Sequence, residues 1–279
     1  MKHTVYRIQQ VLNQAYAILF SPFEGRDPIW LMLWLSVLTA VLVLLVYKYL
    51  SSQEAIKKAK DRSKAHILEI RLFQDDPVLM GRAVRAVLAT NLTYLRLNMK
   101  PFLIVFVPLF LMLVQMETRF GYRPLLPNES AVVRTSWRST VPVDKAPCPT
   151  LVPGDGLSLE SPPVRIGERN EIDWRIRATR MGKTGLVLKT TNDSVALPVF
   201  VSEKLIPVSP QNVLQGSMDV LWYPAGQALP PDGDLLSVEI GYPRRDFRLF
   251  GTTMHWIWPF LVVSLLAGYL LKGVFRVQF

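Results

Sequence analysis

The chain has 279 residues, of which half are hydrophobic, and it carries a formal net charge of +10. Its single cysteine, Cys148, excludes a fold held by intrachain disulfides. The three histidines, His3, His66 and His255, lie far apart and beside no Cys/Asp cluster, so neither a zinc site nor a Ser-His-Asp constellation is nominated.

Residues 1–27 open with Val5, Ile8, Leu12, Ala15, Tyr16, Leu19 and Phe23 at helical spacing, opposite a polar face of Arg7, Gln9, Gln10, Asn13 and Gln14. Those polar residues and the lack of a small-residue cleavage site rule out a signal peptide. The pattern predicts an amphipathic helix lying in a membrane interface, stopped by Ser21-Pro22 and Glu24-Gly25, with a surface helix packed on the rest of the protein as the alternative.

Residues 28–47 hold no charged side chain, nor do residues 101–116 or Leu249–Leu271. About 20 helical residues cross a hydrocarbon core of roughly 30 Å. Three membrane spans are therefore expected, at 28–50, 100–118 and 249–272. Polar residues in them are few: Ser36 and Thr39 in the first, Gln115 as the only amide in the second, and Ser264 with Gly268 in the third. They suit the lining of a wet groove, or equally ordinary helix packing.

Between the first two spans, residues 51–99 read as a basic helical hairpin resembling a coiled coil. Ser51 to Phe73 lacks Gly and Pro and places Ile56, Ala59, Ser63, Ile67 and Ile70 on one stripe. Asp75-Asp76-Pro77 then supplies a helix N-cap with proline at the first helical position. The second helix, from Val78 to about Asn98, would face the first through Met80, Val84, Val87, Leu88, Leu92 and Leu95.

Ser51 to Lys100 carries ten Lys/Arg against five Asp/Glu. Short basic loops stay cytosolic, which places the N-terminus and residues 119–248 outside and the tail 273–279, with Arg276, inside. The basic arm (Lys57, Lys58, Lys60, Arg62, Lys64, Arg71) has three readings: the topology signal alone, contact with anionic lipid headgroups, or contact with ribosomal RNA.

Past a linker at 119–129, residues 130–248 read as an inserted extracytoplasmic all-β sandwich. Glu171 to Ala178 alternates strictly, with Ile172, Trp174, Ile176 and Ala178 inward, and Gly185–Thr190, Val195–Val201, Asp219–Trp222 and Leu235–Gly241 look like further strands. Met181-Gly182-Lys183-Thr184-Gly185 lacks the glycine a phosphate loop needs, since Arg177 stands there, and is read as a hairpin turn. Cys148, between Pro147 and Pro149, reads as an inert thiol. The glycosylation sequons at Asn128 and Asn192 are short enough to arise by chance.

The order of parts, with the run Tyr94-Leu-Arg-Leu-Asn-Met-Lys-Pro101 opening a span that carries Phe106-Val-Pro108 through Gln115, resembles the YidC/Oxa-type membrane insertase superfamily. It is most similar to the minimal three-span branch, which includes archaeal YidC-like proteins and the third subunit of the ER membrane protein complex. The resemblance covers roughly residues 1–125 and the last span. It implies a polar intramembrane groove that receives nascent or unfolded membrane proteins, with Ser36, Thr39, Gln115 and Ser264 lining it and Lys48 and Lys100 at its mouth. It implies no cofactor and no covalent catalysis. Bacterial members usually place an arginine inside the first core span, where this chain has no charge, and the family lacks so large a β insertion, which suggests a specialised branch. The expected location is a bacterial inner membrane. The rival expectation is a scaffold or accessory subunit of an envelope complex, binding a protein partner through the β domain.

Overall fold

The computed structural model describes residues 2–23, 27–51, 53–72, 75–138, 143, 149–190, 194–215, 217–231, 233–249, 251–275 and 277. Cys148, Asn192, Arg276, the Glu24-Gly25 helix stop and Phe73 at the end of the first hairpin helix lie outside the described residues, as do the side chains of Val5 and Ile8. Two compact units divide the chain. One comprises Met1–Leu31 and Leu111–Trp256, the other Met32–Phe110 and Ile257–Phe279.

The helices are α1 (Lys2–Phe20), α2 (Pro28–Leu50), α3 (Gln53–Leu72), α4 (Pro77–Met116) and α5 (Ile257–Phe275). Three are long and apolar enough to cross a bilayer, namely α2, α4 with the turn that follows it, and α5, which marks a membrane protein. The 23 residues of α2 extend about 35 Å at 1.5 Å per residue, enough for a hydrocarbon core.

Asp76 caps α4 as its position predicts. The backbone N–H groups of Val78 and Leu79 donate to its Oδ1 at 2.9 and 3.1 Å, and Pro77, which has no N–H to leave unpaired, takes the first helical position. The face α4 turns inward differs from the expected one. Ile56 and Ala59 on α3 and Ala83 on α4 are buried, whereas Val84, Leu88, Leu92 and Leu95 are exposed, Leu88 and Leu92 to 64% and 67%. Ser63 donates to Asn91 Oδ1 across the pair at 3.3 Å.

A break at residues 99–100 is also absent. The expected second hairpin helix and second span form one 40-residue helix with Pro101 and Pro108 inside it. Neither proline has an N–H, so the carbonyls of Leu97 and Ile104 lose their usual partners. The helix nevertheless runs on, and a five-residue π turn, Glu117–Gly121, ends it.

The strands are β1 (Ser130–Trp137), β2 (Thr150–Pro153), β3 (Leu157–Leu159), β4 (Val164–Ile166), β5 (Glu171–Ala178), β6 (Gly182–Lys189), β7 (Ser194–Val201), β8 (Gln211–Val213), β9 (Leu235–Ile240), β10 (Phe247–Leu249) and β11 (Thr252–Met254). They build two antiparallel sheets, β3-β5-β1-β9-β8 with β4 also on β5, and β2-β6-β7, plus the hairpin β10-β11. The inward residues of both sheets, among them Val133, Trp174, Ile176, Leu186, Leu197 and Val199, share one hydrophobic core, a sandwich-like arrangement.

The third span, expected from residue 249, begins only at Ile257, because Phe247–Leu249 and Thr252–Met254 pair as the β10-β11 hairpin, and three further details depart from the sequence reading. Asp219–Trp222 is not a strand: Met218–Leu221 is a short 3-10 helix, in which only Val220 is buried. Gly182 to Gly185 lies inside β6 rather than in a hairpin turn, because β5 and β6 belong to different sheets. Gly182 still supplies the conformational freedom expected of it, with φ +143°. Residues in the expected linker join the β unit: Leu125 is fully buried in its core, donating from N to Phe200 O and accepting at O from Ser202 N.

Candidate functional site

In the span unit, a hollow of about 390 Å³ is lined by residues of α2, α4 and α5, including Thr39, Ala40, Leu44, Leu109, Ser264 and Gly268. Two of the residues predicted to line a groove, Thr39 and Ser264, do face it. Their hydroxyls are turned back into their own helices, Thr39 Oγ1 donating to Leu35 O at 2.7 Å and Ser264 Oγ to Phe260 O at 2.7 Å. Ser36, fully buried, does the same to Met32 O at 2.8 Å and is not among the lining residues. A hydroxyl bonded within its helix offers little to a polar ligand, so the lining is apolar in effect. At Gly268 an added Cβ would meet nothing within 4 Å, and the hollow is open there.

The predicted mouth residues, Lys48 and Lys100, are both exposed. Lys48 lies one helical turn past Leu44, with Nζ 5.7 Å from the Tyr49 ring centroid. Lys100 lies about 14 Å along α4 from Leu109 by helix rise. In the last turn of α5, Lys272 Nζ sits 3.6 Å from the Tyr269 ring centroid. The six cations of the basic arm, Lys57, Lys58, Lys60, Arg62, Lys64 and Arg71, are all exposed on α3. Lys58 and Arg62 border a second hollow of about 390 Å³ with Thr90 and Thr93.

Gln115, the fourth residue predicted for the groove, belongs to the other unit. Its Nε2 donates to Asn13 Oδ1 of α1 at 2.7 Å. Asn13 Nδ2 in turn donates to Pro224 O at 2.8 Å, and Gln9 Nε2 to the same carbonyl at 3.1 Å. These amides fasten α1 to the segment after the 3-10 helix, so the helix packs on the protein through Gln9 and Asn13 together with buried Phe20. Val11 and Ile18, 65% and 75% exposed, share the outward face with exposed Arg7 and Gln14, whereas Leu12, Tyr16 and Leu19 of the expected apolar face are partly buried, the packing of a surface helix. The i, i+4 spacing of Gln9 and Asn13 was the available signal for this docking, although polar residues on a helix ordinarily face water.

At the other end of α1, the Arg119 guanidinium lies 4.2 Å over the ring of buried Phe20. Glu117 accepts from Trp256 Nε1 at 2.7 Å, with His255 Nε2 3.8 Å away. Arg123 grips Glu129 with two hydrogen bonds of 2.8 Å, and Leu126 N adds a third at 2.9 Å. The Arg123 bonds, helped by Leu126, hold the Glu129 carboxyl below the usual carboxylate range against the opposing effect of burial. Burial pushes the Tyr242 hydroxyl up to about 12, partly offset by the bond it accepts from Phe200 N.

The chain matches no protein-family model, no curated protein and no solved structure. What remains is the chemistry of the sites themselves: an apolar hollow among the spans, an exposed basic hairpin, and an amide cluster in the β unit.

Proposed function

We propose that this membrane protein assists the insertion or folding of other membrane proteins without covalent catalysis, by holding an apolar transmembrane segment of its client in the hollow among α2, α4 and α5. The observation that carries the reading is the lining. Ala40, Ser264 and Gly268 are small enough to let a second helix approach closely, which is how helices associate in lipid. With the hydroxyls of Thr39 and Ser264 bonded inside their own helices, the hollow suits an apolar segment better than a polar tail. The layout resembles YidC-type insertases, and the basic arm on α3 supports a cytosolic hairpin and an extracytoplasmic β domain through the positive-inside rule.

A second reading draws on the same apolar lining: a scaffold of an envelope complex, whose hollow is filled permanently by one partner's span. Photocrosslinkers placed at Ser264 and Gly268 in cells separate the two. The client reading expects crosslinks to several membrane proteins that form only soon after their synthesis, reduced at least fivefold by filling the hollow with Gly268→Leu. One stable protein adduct would favour the scaffold, and adducts to lipid alone would overturn both. In the same cells, a cysteine at Asp234 should be labelled from outside and one at Asp75 should not, with Cys148 replaced.

A further inference from the structure

Neither α2 nor α5 contains an aspartate or glutamate, and each carries a single cation in its last turn, Lys48 on α2 and Lys272 on α5. One span separates the two helices in sequence, so they cross a bilayer in the same direction and both cations emerge on one side. It is the side that the basic hairpin assigns to the cytosol.

Both cations belong to the rim of the hollow among the spans. Lys272 follows Gly268 by four residues and so continues the lining face of α5 by one turn. Its Nζ stands 3.6 Å from the ring centroid of Tyr269, itself a lining residue. Lys48 follows Leu44 by four residues, at the edge of the lining face of α2. Tyr49 and Tyr269, 73% and 66% exposed beside these lysines, are of the residue type that collects at headgroup level. Among the described residues, neither lysine forms an ion pair. An ammonium group has three N–H donors, and a contact with a ring does not use them all.

The body of the hollow has the opposite character. Val43, Leu44, Leu109, Leu261 and Leu265 line it, and the hydroxyls of Thr39 and Ser264 are bonded within their own helices. An occupant matched to both parts is apolar along its length and anionic at one end. A wholly apolar helix leaves the lysines unmatched, and a soluble anion leaves the hollow unfilled.

We infer that the hollow, when no client occupies it, holds an anionic glycerophospholipid of the cytosolic leaflet, with one acyl chain against Leu44, Leu265 and Gly268 and its phosphate held by Lys48 and Lys272. A zwitterionic lipid brings a cation of its own beside the lysines, which offsets their attraction for its phosphate. Each Lys near an anionic headgroup raises affinity roughly fivefold. The inference rests on the client reading in one respect, that no partner's span fills the hollow permanently. The seated lipid is then what a client segment displaces.

The test uses the purified full chain in phosphatidylcholine nanodiscs that carry a trace of phosphatidylglycerol or phosphatidylcholine with a diazirine in the acyl chain. After irradiation, adducts are mapped by mass spectrometry. The phosphatidylglycerol probe should label the lining peptides of α2 and α5 at least fivefold more than the phosphatidylcholine probe, and unlabelled phosphatidylglycerol should compete. Lys48→Gln with Lys272→Gln should bring the two probes within twofold of each other. Lys57→Gln with Lys64→Gln removes the same charge from the exposed arm and should leave the preference unchanged. Gly268→Leu should cut labelling by both probes. Equal labelling by the two probes, a preference that survives the Lys48 and Lys272 pair, one that falls as far with the arm pair, or labelling indifferent to Gly268→Leu overturns the inference. The purified chain meets no client, so client crosslinks found in cells would stand after any of these results, and a lipid preference without such crosslinks would retire the client reading alone.

Discussion

Replacing Trp174 with alanine tests whether the two sheets share one core. The indole is 2% exposed in the middle of β5, opposite Val133 of β1, in the cluster that also takes in Leu186, Leu197 and Val199 from the second sheet. Truncating a buried tryptophan removes its transfer free energy and leaves a cavity that only partly collapses, a loss of about 3–5 kcal/mol. Domains are stable by about 5–15 kcal/mol, so the variant should remain folded but open far more often. At about 1.4 kcal/mol per tenfold, the opening constant rises by roughly two to three and a half decades. Hydrogen exchange of the full chain in nanodiscs reads this directly, in peptides covering β1, β5 and β7. Peptides from all three strands should lose protection together, because both sheets lean on the same ring. A change within a factor of roughly two, the scale of surface substitutions, would refute the shared core. Loss of protection in β5 and β1 with β7 untouched would mean that the sheets are stabilised separately.

Two pH effects follow from the β unit. The folded Glu129 carboxyl lies below its unfolded value, so the Arg123 contact stabilises the protein above the ordinary carboxylate pKa of about 4.3 and its contribution is lost as pH falls through the lowered value. Thermal melts across that range should show Glu129→Gln lacking this acid component, and parallel curves for variant and parent would contradict it. Tyr242 runs the other way: between the unfolded value near 10 and its folded value of about 12, the native chain keeps a proton the unfolded chain has released, so stability falls as pH rises. Tyr242→Phe should flatten that alkaline decline and remove a tyrosine ionisation step near pH 12 from the absorbance titration of the parent.

What could be read from the sequence depended on how far each signal was local. The spans and the cap at Asp76 were legible because charge-free length and Asp-Pro chemistry need no knowledge of the rest of the chain. β5 was legible because its inward positions are all apolar. β1 was missed although it lies at the centre of its sheet, between β5 and β9. Its inward face includes Thr135, a polar residue that becomes buried only because its hydroxyl donates to Ile172 O at 3.0 Å and accepts from Trp137 Nε1 at 2.9 Å. Those partners lie on another strand and two residues along, and alternation of hydrophobicity does not encode them. Both hairpin helices form as expected, but the inward face of the second was misread. Its second helix has apolar residues on more than one face, and periodicity ranks the large leucines above Ala83, whereas Ala83 is the one buried.

The polar residues of the spans divide by what each side chain can satisfy alone. A serine or threonine hydroxyl reaches the carbonyl one turn back, as Ser36, Thr39 and Ser264 all do, so its presence in an apolar helix says nothing of a wet groove. A glutamine has two donor hydrogens and an acceptor oxygen, which its own helix cannot all satisfy, so it must look elsewhere. In lipid that need is costly unless a partner is supplied, and the partner here is Asn13. Gln115 is therefore spent on docking α1, and Asn13 passes the connection to Pro224. The same logic isolates Gln9. Of the amides in this cluster, among the described residues, it is the one with a buried oxygen left unmatched.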